Sequence, residues 1–167
     1  MPLIRLFLDI LLFKKGPQDV PGSPLLLGLA AGTDLLAGFA LAALETAWLD
    51  ALLQAITGLG LLTLFLAAAL ALTGKWSRWL KTASALLGCD ALLTSAALPL
   101  LGLAQWLPEA RGLTGLLLIL LLLWQVAVMG AILRHALAVP PLAGIGLALG
   151  YTVVSIKIMM ALFPAVA

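Results

Sequence analysis

The chain has 167 residues, of which 64% are hydrophobic and 10% charged, with a formal net charge of +2 and a mean hydropathy of +1.22. Soluble domains are roughly 45–50% apolar and ~25% charged, so a water-soluble globular fold is excluded, and with it the large soluble enzyme classes. The basic balance sits in short clusters at the ends of apolar runs, where topology alone would put it, so no nucleic-acid partner is implied. Cys89 is the single cysteine. It can form no internal disulfide and no cysteine metal cage, and it reads as a small buried residue on a helix.

Residues 3–13 are apolar but are interrupted by Arg5 and Asp9 and lead into Lys14, Lys15, Gly16 and Pro17. They lack a basic leader and a small-residue cleavage site, so they are expected to stay in the mature protein. The stretch is too short to span a bilayer. Arg5 and Asp9 stand four apart on one helical face among Leu3, Leu6, Phe7, Ile10, Leu11 and Phe13, the pattern of an amphipathic helix that is interfacial or reentrant on the cytoplasmic side. Residues 14–24 hold Pro17, Pro21, Pro24, Gly16 and Gly22, which forbids a continuous helix and makes a linker.

Five membrane-length runs follow, at about 25–44, 52–73, 82–104, 113–133 and 142–163. Apolar helices of ~20 residues span the ~30 Å hydrocarbon core with every backbone group satisfied internally, so the fold class is all-α, a polytopic bundle of five transmembrane helices. The first turn carries Glu45, Trp48 and Asp50; the second, Lys75, Trp76, Arg78, Trp79 and Lys81. Trp106 and Arg111 mark the third turn, and Pro140 with Pro141 the break before the fifth run. Pro99 predicts a kink, and residues 164–167 a stub. Trp48, Trp76, Trp79 and Trp106 read as interfacial anchors; Trp124 alone lies at depth.

Arg5, Lys14, Lys15, Lys75, Arg78, Lys81 and Arg134 fall on the side of the N-terminus, and only Arg111 on the other. Lys and Arg in short loops stay on the cytoplasmic side. The expected placement is a bacterial-type inner membrane, with the N-terminus cytoplasmic and the C-terminus outside.

Inside the runs lie three formally charged residues, Asp34, Asp90 and Lys157. A charge at membrane depth costs ~2.5–3.5 kcal/mol on insertion scales, so it ordinarily faces protein or a wet cavity. Counted from the cytoplasmic ends at ~1.5 Å per residue, Asp34, Asp90, Gln125 and Tyr151 share a level about 12–14 Å deep, with Thr63 about one turn further in. These four form the candidate intramembrane polar site. Two readings stand: a proton or cation site, since close carboxylates in low dielectric cannot both ionise comfortably, or hydrogen-bonded acids that hold the bundle in register. Lys157 lies nearer the outer face, where its stem can snorkel outward; the alternative is an ion pair with Asp34 or Asp90.

Gly28 with Gly32, and Gly146 with Gly150, are small-xxx-small pairs that read as internal packing, with a dimerisation face as the alternative. His135 has no second histidine or carboxylate at ligand spacing, so no metal site is expected. No phosphate loop, nucleophile elbow or HExxH helix occurs; neither catalytic residues nor a cofactor is expected.

The short N-terminal segment Leu6-Phe7-Leu8-Asp9-Ile10-Leu11-Leu12-Phe13-Lys14-Lys15-Gly16-Pro17 and the five closely spaced runs resemble the small bacterial Yip1-like membrane proteins in topology. The resemblance implies a partner-binding mode and assigns no residue a role. The leading expectation is a non-enzymatic accessory or scaffold protein that binds lipid, another membrane protein or itself. The alternative is a small transporter or proton-coupled carrier using Asp34 and Asp90.

Overall fold

A computed structural model describes residues 2–107, 109 and 111–164. Its helices are α1 (Pro2–Leu11), α2 (Pro24–Ala42), α3 (Trp48–Leu72), α4 (Trp79–Trp106), α5 (Arg111–Leu137) and α6 (Pro141–Leu162), with short 3-10 turns at Pro17–Asp19 and Trp76–Arg78. No strand occurs among the described residues. The long helices α2 to α6 are all long and apolar enough to cross a membrane, yet the buried share of each apolar window runs only from 6% in α6 to 39% in α4. Their outer faces, with Leu25, Leu36, Leu64 and Leu142 all strongly exposed, are matched to hydrocarbon and not to water.

Three helices, α3, α4 and α5, overrun the apolar runs of the sequence. The largest extensions are at the N-terminus of α3, which begins at Trp48, and at the C-terminus of α5, which continues through Arg134 and His135. A helical backbone continues past the hydrocarbon edge wherever its residues still favour helix, so polarity marks the membrane boundary and not the helix end. Pro99 lies inside α4, which runs on through it.

α4 is the centre of the bundle. It packs on α2 and α5; α2 packs in turn on α3, and α5 on α6, with a thin α3–α6 contact closing the ring. Alternate helices run in opposite directions, so α2 and α4 are parallel neighbours: Gln105 near the end of α4 donates to the carbonyl of Leu44 just past α2 (3.0 Å). At the other end Arg78 donates to the carbonyls of His135 (3.0 Å) and Ala136 (2.9 Å). Lys75 reaches the carbonyl of Leu137 and Lys81 that of Gln18. Cations that cap the last carbonyls of α5 satisfy orphan acceptors and oppose the negative end of the helix dipole.

Three helices end at this face by the same device. Phe13, Gly74 and Ala138 take positive φ (58°, 67° and 48°), and the next N–H in each case reaches five residues back: Lys14 to Asp9, Lys75 to Leu70 and Val139 to Arg134. That is the six-to-one closure of a Schellman turn.

α1 buries Phe7, Ile10 and Leu11, an i, i+3, i+4 stripe, against α4. Phe7 lies where a Cβ on Gly88 would come within 2.5 Å of its ring, and Gly88 is nine residues beyond Trp79. The ring of Phe13 meets Trp124 at 5.4 Å between centroids. α1 is therefore seated against α4, with Phe7 about 13 Å along from the start of that helix by the helical rise. Asp9 pairs with Lys15 at 3.2 Å; no ion pair joins it to Arg5.

Candidate functional site

The α2–α4 contact brings two carboxyl groups together at membrane depth. Asp34 of α2 is buried and Asp90 of α4 half-buried, and their side chains are hydrogen-bonded to each other. A hydrogen bond between two carboxyls needs a proton on at least one of them. Gln125 of α5 donates its Nε2–H to Oδ1 of Asp90. Tyr151 of α6 lies within electrostatic reach of both carboxyls, is hydrogen-bonded to Ser155, and packs on Phe65 of α3 at 5.0 Å between ring centroids. All four residues of the sequence-derived polar site are thus brought together, one from each of α2, α4, α5 and α6.

Two cavities meet at Asp90. One, of about 210 Å³, adjoins Gln125, Tyr151, Thr152 and Ser155. The hydroxyls of Thr152 and Ser155 donate to carbonyls of their own helix, Ala148 (2.9 Å) and Thr152 (3.0 Å). What they turn to the cavity is lone pairs. The other, of about 320 Å³, runs between α2, α3 and α4 from Asp34 and Asp90 past Gly38, Gln54 and Thr94 to Glu45. From Asp34 to Glu45 is eleven residues, about 16 Å of helix, so this cavity is a vestibule reaching the face of the bundle opposite the N-terminus. In the other direction the first cavity continues along Leu86, Met129 and Ile132, while Leu66, Leu70, Leu87 and Leu133 around it are each under 2% exposed. The carboxyl pair lies at the inner end of an acid-lined recess.

Gln54 was not among the expected site residues. It is 8% exposed, lines the vestibule, and its Nε2 has no hydrogen-bond partner. Placing the start of the second span at residue 52 puts Gln54 at the interface, whereas α3 begins at Trp48 and carries it inside. Ser155 could have been found from Tyr151, since four positions on it shares that side of the helix, and Thr152 from Ser155, three positions back.

Other expectations need correction. Thr63 returns its hydroxyl to Leu59 and Gly60 of its own helix and lines neither cavity; α3 contributes Gln54 and Gly58 instead. Gly28, Gly32, Gly146 and Gly150 have open space where a Cβ would stand, so they do not pack the bundle internally. The glycines that pack most closely between helices are Gly88, Gly130 and Gly144, with Gly38 in ordinary contact with Ala55. Lys157 is exposed and lines neither cavity. Asp9–Lys15 is the only ion pair among the described residues, so Lys157 is not paired with Asp34 or Asp90. His135 is exposed and bonded to the carbonyl of Ala131.

Among the described residues no three His, Cys, Asp or Glu converge as metal ligands. Comparison with family models, with curated proteins and with solved structures finds no match to this chain.

Proposed function

We propose that this protein is a small proton-coupled cation carrier, in which Asp34 and Asp90 alternately hold a proton and a cation. The single observation that carries the reading is the carboxyl pair at the inner end of a vestibule that reaches the Glu45 face, with the buried Leu66, Leu70, Leu87 and Leu133 towards the other. An acid pair kept only for register needs no water-sized access, and burying it without a cavity would be cheaper. The protein converts no substrate in this account; it binds and moves one. The seven cations on the N-terminal face set that face cytoplasmic in a bacterial-type inner membrane, so the vestibule opens outward and the C-terminus is outside.

The test is flux in vesicles reconstituted with the purified chain, loaded with a pH-reporting dye and given sodium, potassium or alkylammonium gradients in turn. The wild type dissipates a pH gradient with at least one of them. Asp34→Asn/Asp90→Asn keeps hydrogen bonding but abolishes the exchange. Equal flux in the double variant, or none in the wild type, overturns the carrier.

A second reading, the accessory or scaffold role in keeping with the Yip1-like topology, is favoured by a different observation. Gly28, Gly32, Gly146 and Gly150 face outward with nothing against them, and small outward residues let a second membrane helix approach closely. Crosslinking in native membranes from cysteines at these positions captures a neighbour if this holds; no captured species refutes it.

A further inference from the structure

The vestibule carries, beside its acids, one group that a bare cation would not want. Gln54 is nine-tenths buried, lines the same cavity as Asp34 and Asp90, and presents an amide N–H with no acceptor. A buried donor left unpaired costs about 1–3 kcal/mol, and a metal cation offers it nothing. Its place is fixed by its neighbour. A Cβ on Gly38 would touch the Cβ of Ala55 at 3.7 Å, so Gln54, one residue further out on the antiparallel α3, stands outward from Asp34 by some 7–8 Å at the helical rise.

We infer that the site takes a small primary ammonium compound carrying a neutral hydrogen-bond acceptor, an amino alcohol, with the ammonium on the Asp34–Asp90 pair and the hydroxyl oxygen on the Gln54 amide. This rests on the carrier reading for the role of the pair but adds the class of cation. An ammonium supplies the N–H donors that the carboxylate oxygens accept. A short methylene spacer lies on Ala55 and Leu59, which line the same cavity. A carboxylate in place of the hydroxyl would meet the charges of Asp34, Asp90 and Glu45, so amino acids are refused. The cavity of about 320 Å³ exceeds the ~150 Å³ that accepts benzene, so a six-heavy-atom ligand and some water fit together.

The experiment is calorimetric titration of the purified full chain in lipid nanodiscs with 4-amino-1-butanol, n-butylamine, 4-aminobutanoate and sodium. 4-Amino-1-butanol should bind about tenfold tighter than n-butylamine, the worth of one good hydrogen bond, and 4-aminobutanoate and sodium should not compete. Gln54→Leu should erase the tenfold preference while leaving n-butylamine binding unchanged. Gln54→Met, similar in length but with no N–H donor, should erase it too, and guards against a Leu variant that fails to fold. Equal affinity for the amine and the amino alcohol in the wild type, or a preference that survives both variants, overturns the assignment. Its failure is distinguishable from that of the carrier. Aspartate-dependent flux of sodium or potassium without amino-alcohol binding sinks the ligand class alone, whereas the expected binding pattern without flux sinks the carrier and leaves the site standing.

Discussion

The α5–α6 contact is held by two glycines whose missing side chains are replaced by backbone. A Cβ on residue 144 would stand 3.1 Å from the backbone nitrogen of Arg134 and press on the carbonyl oxygen of Gly130, and a Cβ on residue 130 would come within 3.0 Å of the Cα of Ile145. No rotamer relieves such contacts, because the atoms opposite are main chain, so Gly144→Ala must push the two helices apart. Overpacking of this kind costs about 1–3 kcal/mol, against which alanine returns about 0.5–1 kcal/mol of helix propensity. The net is about 1–2 kcal/mol of destabilisation, or about 2–8 °C in Tm for a chain of this size. Thermal unfolding of the purified protein in one detergent, followed by circular dichroism, reads it directly. Gly146→Ala is the matched control: two residues along the same helix with open space at its Cβ, it should leave Tm unchanged or raised. If Gly144→Ala proves as mild as Gly146→Ala, the α5–α6 packing described above is wrong.

Gln125→Leu removes the amide that donates to Asp90 and leaves that carboxyl short of a partner. It should cost about 1–3 kcal/mol in the same melting assay, and Asp90→Asn combined with it should cost less than the sum of the two; additivity would deny the contact. Lys157→Met should change neither Tm by more than about a degree or two, the scale of a mild surface substitution, nor the vesicle flux. A strong loss of flux would place Lys157 in the pathway, against its outward-facing position.

The number and order of spanning helices were legible because each run is long and uniformly apolar, which bilayer thickness reads directly. Depth was legible too: counting along helices brought Asp34, Asp90, Gln125 and Tyr151 to one level, and they meet there. Direction around the helix axis was not. Thr63 lies near the right depth on the wrong face. Gly146 and Gly150 have the right spacing but face away, while Gly144, two positions off and so on a different side of α6, makes the contact. In a helix hydrophobic all round, no amphipathic stripe marks the face that turns inward. Gln54 was hidden by a boundary, since the apolar run begins several residues after α3 does.

The central claim is that the carboxyl pair is reached from the face of Glu45 and sealed from the face of Lys75 and Arg78. A water-soluble, membrane-impermeant carbodiimide with an amine nucleophile, added to one side of vesicles holding the chain in a single known orientation, tests it by mass-spectrometric mapping of the modified carboxyls. Added at the Glu45 face, the reagent should modify Asp34 or Asp90 together with Glu45 and Asp50. Added at the other face, it should modify Asp9 and Asp19 and leave both membrane aspartates untouched. Modification of Asp34 or Asp90 from the Lys75 face, or from neither face, would contradict the account.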